Sequence, residues 1–319
     1  MAIPAPSVRP QTEISAPVSG TAPSLCVDLD GTLIATDLLW ESVLLLIRHQ
    51  PVLILWLPIW LLRGKAHLKA QLASRVRPDA SVLPYRADVL DYVREARSRG
   101  RTVVLATAAD YQVAHEVAAH LGCFGAVIAS DGARNMSETR KSAALVSRFG
   151  RGGFDYIGDS RADLPAWGAA NAALLVDPSR WLLRRARSLA RVQHVFATPR
   201  QLPMAIVRAL RVHQWLKNAL AFVPVVMAHQ VLDSQRLIAA TVTFVVFSLL
   251  ASSVYITNDL LDLESDRQHP RKKGRPFAAG DLSITTGLAL SAGLLCAGLV
   301  LGLLALPARQ SRPPSHMPC

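Results

Sequence analysis

Two stretches of this chain carry no charged residue: residues 237–256, which are 20 long, and residues 284–306, which are 23 long. At about 1.5 Å of rise per residue, each makes a helix of at least ~30 Å, the thickness of a bilayer's hydrocarbon core. A third apolar segment, 218–228, is short and interrupted by Pro224. Any fold for this chain must therefore place two or three helices in lipid. The mean hydropathy of +0.26, with 51% apolar and 18% charged residues among 319, averages over two chemically different halves. That balance excludes a wholly disordered chain and fits poorly with an ordinary soluble enzyme.

The charges are placed as unevenly as the apolar residues. The net charge is +12, and the loop between the two long runs holds Arg267, Arg271, Lys272, Lys273 and Arg275. The loop before residue 237 holds only Arg236. Basic loops stay in the cytoplasm, so the expected path is in, out, in, out, an integral protein of the cytoplasmic membrane with its N-terminal half in the cytoplasm. The arginines from Arg180 to Arg211, with Lys217, read as a solvated helix near acidic lipid. No aromatic interleaving or nucleic-acid motif accompanies them, so membrane lipid is an expected partner and nucleic acid is not. Cys26, Cys123, Cys296 and Cys319 form no C-x-x-C pair, which argues against zinc and against a disulfide framework.

Residues 1–23 are rich in Pro, Ala, Ser and Thr and read as a disordered tail. Residues 24–197 alternate apolar strand patterns (24–34, TVVLAT after Gly100, 126–130, 154–158, 173–177) with helical ones (85–99, the DYQVAHEVAAHLG run, 142–150). That alternation predicts a parallel α/β sheet with helices on both faces. Between them, residues 43–62 are apolar but broken by Arg48, His49, Gln50, Pro51 and Pro58. The expectation is two helices joined at Pro51, forming a cap or lying on the bilayer, with Trp56 and Trp60 as interface anchors.

Asp28-Leu29-Asp30-Gly31-Thr32 follows directly on the first strand, with two carboxylates leaving its end on one side and a glycine allowing the turn. This D-x-D-G-T resembles the first motif of the haloacid-dehalogenase-like phosphatase superfamily. The remaining motifs follow in order: Thr107 ending VVLAT, Lys141 in ETRKSAAL, and Gly158-Asp159 with Asp163 in YIGDSRAD. The resemblance implies a Rossmann-like domain with a helical cap and a phosphate-ester substrate. It implies Asp28 as nucleophile, Asp30 as general acid and base, and Thr107 and Lys141 on the phosphoryl oxygens. Mg²⁺ would be held by Asp28, Asp30 through its carbonyl, and Asp159, with Asp163 among the substrate contacts. The insert at 38–75 stands where such proteins carry a cap, and its apolarity points to a lipid-tailed substrate or to membrane contact.

At the end of the first long run stands Asn258-Asp259-Leu-Leu-Asp262-Leu-Glu-Ser-Asp266. On one continuous helix these spacings put Asp259, Asp262 and Asp266 on a single face, where a cation must relieve their repulsion. With Arg211-Val-His-Gln-Trp215-Leu-Lys217-Asn218 before and Arg275-Pro276 after, the pattern resembles the UbiA superfamily of membrane prenyltransferases, most of all its decaprenyl-phosphate phosphoribosyltransferase branch. The resemblance implies Mg²⁺ on Asp259, Asp262 and Asp266, substrate contacts at Asn258, Lys217 and Arg275, a phosphoribosyl or prenyl diphosphate donor, and a polyprenyl-lipid acceptor. The expected organisation is an α/β domain at 24–197, an incomplete all-α UbiA bundle at 198–306, and a tail at 307–319 without membrane character. The transferase half reads as truncated and inactive by itself. Two alternatives stay open: prenyl transfer to an aromatic or quinone precursor, and a membrane-anchored remnant without catalysis.

Overall fold

The computed structural model describes residues 22–198 and 202–305. The expectations for most of the N-terminal tail and for 307–319 lie outside these residues. Six parallel strands form one sheet: β1 (Ser24–Val27), β2 (Val103–Asp110), β3 (Ala126–Ser130), β4 (Phe154–Gly158), β5 (Ala172–Val176) and β6 (Arg191–Phe196), in the order β3-β2-β1-β4-β5-β6. Strands β1, β4 and β5 are almost wholly buried and read as unbroken apolar runs, as strands covered on both faces must. The strand order reverses direction between β1 and β4, and the crevice at that reversal, beyond the carboxyl ends of the strands, is where such sheets bind ligands. β1 delivers Asp28 there and β4 delivers Asp159.

The covering helices are α4 (Ala87–Ser98) and α5 (Tyr111–Leu121) with one apolar core, and α6 (Glu138–Phe149), α7 (Leu164–Trp167) and α8 (Arg180–Arg187) with the other. Strand β6 is a departure from the sequence reading, which ended the series at residue 177. Its pattern is polar, with Arg191, Gln193 and His194 exposed, because it is an edge strand held mainly by its ladder to β5.

The apolar insert folds as expected around its prolines: α1 (Leu38–His49), a 3₁₀ stretch (Pro51–Trp56), α2 (Leu57–Leu62) and α3 (Lys65–Ala73). The chain stops being α-helical at Gln50, where Pro51 follows, and Asp37 caps α1 by accepting from the Leu39 and Trp40 N–H groups.

Beyond it, α9 (Leu202–Leu210), a 3₁₀ stretch (Val212–Phe222), α10 (Val223–Met227), α11 (Ser234–Leu261), α12 (Leu263–Gln268) and α13 (Ile284–Ala305) complete the described chain. Two helices, α11 with 28 residues and α13 with 22, are long and apolar enough to cross a membrane, and their most apolar windows are only 22% and 6% buried. They run antiparallel in close contact. Ser253 donates to the Ser291 carbonyl at 2.9 Å, and a Cβ at Gly287 or Gly298 would strike Leu260, Phe277 or Leu250. The stretch interrupted by Pro224 lies alongside α11 through Trp215 to Ser252, Asn218 to Ser248 and Phe222 against Phe244. It thus follows α11 along its length as a 3₁₀ and short α segment rather than as a third regular helix.

A third core joins the two parts. Leu44 of α1 packs with Ala205 and Ala209 of α9, Ile256 and Leu260 of α11, Phe277, and Ile284 of α13. The α/β domain and the basic loop therefore sit at the same end of the α11–α13 pair.

Candidate active site

The crevice at the sheet's reversal gathers the four motifs. Asp28 is 8% exposed, and Lys141, reached from α6, lies 3.1 Å from its carboxylate. Lys141 also donates to Asp163 Oδ1 at 2.9 Å, and the Tyr156 hydroxyl donates to the same oxygen at 2.9 Å. Asp163 Oδ2 accepts from the backbone N–H groups of Asp159 and Ser160 and from the Ser160 hydroxyl. Both oxygens of Asp163 are thus committed inside the protein and the residue is fully buried. It does not reach the cavity, which corrects its expected role as a substrate contact. Its job is to hold Lys141 in place beside Asp28.

Thr107 is fully buried, and its hydroxyl accepts from the Ala109 N–H at 3.0 Å; the cavity is lined at this point by Ala108. The Asp30 carboxylate accepts the Leu38 N–H at 2.9 Å, which ties it to the start of the cap. Asp159 accepts from the Thr32 hydroxyl at 3.2 Å. Gly31 stands at φ +74°, and a Cβ there would overlap the Asp159 carboxylate, so the glycine serves both the turn and the approach of Asp159.

These carboxylates perturb one another. Burial raises the pKa of Asp28, with the Lys141 ammonium opposing it. Burial also raises that of Asp30, and the nearby Asp37 and Asp28 carboxylates push the same way. Asp159 is pushed up to about 7 by burial and by Asp28 and Asp163. Burial works against the Lys141 ammonium, but Asp28 and Asp163 outweigh it and hold its pKa above the ordinary lysine value.

Asp28, Asp159 and Asp163 each offer one carboxylate oxygen, all within 4.8 Å of one another. The donor set is hard oxygen and carries uncompensated negative charge, and Gly31 leaves Asp159 free to approach. These residues fit Mg²⁺. With Asp163 engaged by Lys141 and Tyr156, Asp28 and Asp159 are the side chains left to hold it.

The second constellation is arranged otherwise. α11 ends at Leu261 and the helix restarts at Leu263, so Asp262 stands at a break and turns to Arg48 of α1 at 2.8 Å. Asp259 and Asp266 face each other across Arg275, which reaches them at 3.0 and 2.6 Å, and Arg211 also donates to Asp259. Lys272 lies 3.6 Å from Asp266. The expected three-carboxylate face is thus not formed, because the helix break redirects one carboxylate and arginines already neutralise the other two. As arranged, this cluster does not fit a metal. Arg275 is part of it, whereas Lys217 and Asn258 are exposed and their side chains contact none of it.

Several residues here escaped the sequence reading. Glu41 of α1, buried, accepts from the Thr36 hydroxyl at 2.6 Å and from Arg267 at 2.6 and 2.9 Å. Arg86, also buried, donates to the Gly31 carbonyl and to Asp177. Lys69 of α3 donates to the Ala108 carbonyl, bringing a cap ammonium near Asp30. A lone acid inside an otherwise apolar insert was a usable signal for Glu41; Arg86 and Lys69 had none.

Residues 219–309 match the UbiA prenyltransferase family. The uncharacterized protein y4nM of Sinorhizobium fredii is 38% identical over 284 residues, covering 88% of this chain and 54% of that protein. Decaprenyl-phosphate phosphoribosyltransferase of Corynebacterium glutamicum is 37% identical over 109 residues, covering 34% of this chain and 33% of that enzyme. Nodulation protein NoeC of Azorhizobium caulinodans is 40% identical over 95 residues, covering 30% of this chain and 31% of its own. The chain thus spans about half the length of the first of these and about a third of the other two. Among solved structures, a Bordetella pertussis protein of unknown function is 19% identical with a TM-score of 0.43, covering 55% of this chain and 99% of its own. A phosphoserine phosphatase in apo form is 12% identical with a TM-score of 0.40, covering 55% and 94%. The C-terminal part of the chain carries a UbiA segment, and the N-terminal part is the six-stranded α/β sheet with its cap.

Proposed function

We propose that the α/β part is a Mg²⁺-dependent phosphatase working beside a UbiA-type transferase in polyprenyl-phosphate-linked sugar metabolism. The observation that carries the phosphatase reading is the Asp28–Lys141–Asp163 chain, set at the sheet's reversal with Asp159 alongside. In this reading an Asp28 oxygen attacks phosphorus and the bond from phosphorus to the ester oxygen breaks. Asp30, protonated because of its burial, gives its proton to the departing oxygen. Asp30 then takes a proton from water, whose oxygen attacks the acyl phosphate, releasing inorganic phosphate and restoring Asp28. Lys141 neutralises charge on the phosphoryl oxygens, and the backbone around Ala108 offers the neighbouring contact. Mg²⁺ held by Asp28, Asp159 and the Asp30 carbonyl supplies the charge neutralisation that lets an anion approach an anion.

The transferase reading is supported by the UbiA match and by the relatives named decaprenyl-phosphate phosphoribosyltransferase. For this half the donor is a phosphoribosyl or prenyl diphosphate and the acceptor a polyprenyl lipid, with Arg211, Arg275 and Lys217 as the anion contacts. Transfer of a 5-phosphoribosyl group leaves a 5-phosphate that the neighbouring phosphatase can remove. The α/β part and the basic loop lie in the cytoplasm, in keeping with the charge bias.

The test uses the full chain in lipid nanodiscs, with phosphate release from a panel of sugar phosphates measured with and without Mg²⁺. Asp28→Asn is expected to abolish release while leaving the circular dichroism spectrum unchanged. Turnover by that variant equal to wild type overturns the nucleophile assignment.

A further inference from the structure

We propose that the phosphatase site is completed by the membrane helices and takes the phosphate monoester of a sugar headgroup whose aglycone is anchored in the bilayer. The proposal rests on the phosphatase reading above and adds the class of ester.

The cavity above Asp28 has a volume of about 460 Å³. Asp28, Asp30, Lys141 and Asp159 line one side of it, and Gly280, Ser283, Ile284 and Thr285 line another. Ile284 is the first residue of α13, a helix of the length and apolarity of a membrane span. The nucleophile therefore opens into a space walled by the first turn of that span. At ~1.5 Å per residue, 22 residues cover about 33 Å, so the first turn of α13 lies at the membrane–water boundary.

The wall is fixed rather than incidental. Gly280, at φ +79°, packs so closely on Ala35 that a Cβ would not fit. Glu41 and Arg267 pair across the same joint with both side chains 5% exposed. Phe277 and Leu282 are buried in the core shared with α1. On the wall itself, the Ser283 hydroxyl caps α13 by accepting the Thr286 N–H at 3.1 Å and lies 3.0 Å from the Thr285 hydroxyl. Both side chains are exposed, so polyhydroxylated chemistry has partners on this wall.

The cap carries a second, separate sign of the bilayer. Val52, Leu55, Trp56 and Leu62 are 73%, 73%, 48% and 88% exposed, an apolar face that water disfavours and a headgroup layer accommodates. A freely soluble ester needs neither this face nor a wall built from a membrane helix. For an anchored ester, the phosphorus–oxygen bond to the sugar breaks, that oxygen takes a proton, water's oxygen joins phosphorus, and the dephosphorylated headgroup stays in the membrane.

The test compares hexadecyl riboside 5-phosphate with methyl riboside 5-phosphate, using the full chain in nanodiscs with Mg²⁺. The two probes share the reacting headgroup and differ only in the anchor. Wild type is expected to favour the hexadecyl ester in kcat/KM by about tenfold or more, equivalent to roughly 1.4 kcal/mol. Thr285→Trp, which crowds the wall, is expected to collapse that preference mainly through KM, and Thr285→Ser to keep it. The double variant S283A/T285A, which removes the hydroxyls without adding bulk, should also weaken it. Equal use of the two esters by wild type overturns the proposal, as does a preference that survives Thr285→Trp and S283A/T285A; in both cases Asp28-dependent hydrolysis leaves the phosphatase reading standing. Absence of Asp28-dependent hydrolysis of either ester overturns the phosphatase reading and this proposal with it.

Discussion

Glu41 and Arg267 form a two-pronged ion pair at 2.6 and 2.9 Å, 226 residues apart in sequence, joining the cap of the α/β domain to the segment between the membrane helices. Both side chains are 5% exposed, so neither charge has water to fall back on. The Arg267 Nε also donates to the Ala278 carbonyl, and the Thr36 hydroxyl supports Glu41. Removing one partner leaves the other charged and buried, which costs about 3–5 kcal/mol, whereas replacing both by apolar groups of similar volume can be near neutral. Arg267→Ala is therefore expected to lower the thermal midpoint far more than the paired E41L/R267M. Differential scanning of the chain in nanodiscs checks this; equal losses for the two variants would contradict it.

Gly31 is the position where backbone and metal chemistry meet. A left-handed alanine costs roughly 1–2 kcal/mol, and here its Cβ would also displace the Asp159 carboxylate. Gly31→Ala is expected to fold, to lose most of its thermal stabilisation by Mg²⁺, and to lose about a hundredfold in phosphate release, the scale of a 1 Å misplacement. An unchanged Mg²⁺ response would show that Asp159 does not need the space.

The crowding of carboxylates makes stability depend on pH in an unusual direction. The Asp159 pKa lies at about 7 when folded, through burial and the Asp28 and Asp163 charges, against an ordinary value of 3.8. The folded state therefore binds protons that the unfolded chain has released. This contribution is fully present below the ordinary carboxylate value and is lost as pH rises through about 7. Metal-free protein is expected to lose up to about 1.4 kcal/mol per pH unit from this group across that window. Added Mg²⁺ should stabilise more at the alkaline end than at the acid end, and Asp159→Asn should flatten the profile. Chelated protein scanned across the window tests all three expectations.

The two ends of α11 are expected to face opposite compartments. The helix starts after Asp233 and its 28 residues rise by roughly 42 Å to the basic loop. In a cysteine-free background, a cysteine at Lys272 should be labelled by an impermeant maleimide only from the cytoplasmic side, and one at Asp233 only from the other. The reverse pattern would overturn the orientation drawn from the arginine and lysine bias.

What could be read from the sequence was what neighbouring residues decide among themselves. Apolar runs, prolines and alternation are properties of a few turns of chain, so the long membrane helices, the break at Pro51 and the core strands were legible. The ordered carboxylates, threonine and lysine were legible because an α/β sheet delivers strand ends to one crevice in chain order. Strand β6 was not, since an edge strand needs apolar residues on only part of its surface and its pattern is correspondingly weak.

The remaining features were settled only by tertiary contact. The regular spacing of Asp259, Asp262 and Asp266 promised one face, but the helix breaks at Asp262, which pairs with Arg48, while Arg275 sits between the other two. Asp163 could not be told from a substrate contact until its oxygens were seen to be taken by Lys141, Tyr156 and the Ser160 turn. That α13 helps to wall the Asp28 cavity depends on residues some 250 positions apart meeting through the cap. Local sequence sets which elements form, because their hydrogen bonds close within a few residues. Which charges neutralise each other depends on distances that exist only after those elements pack, and no local pattern encodes them.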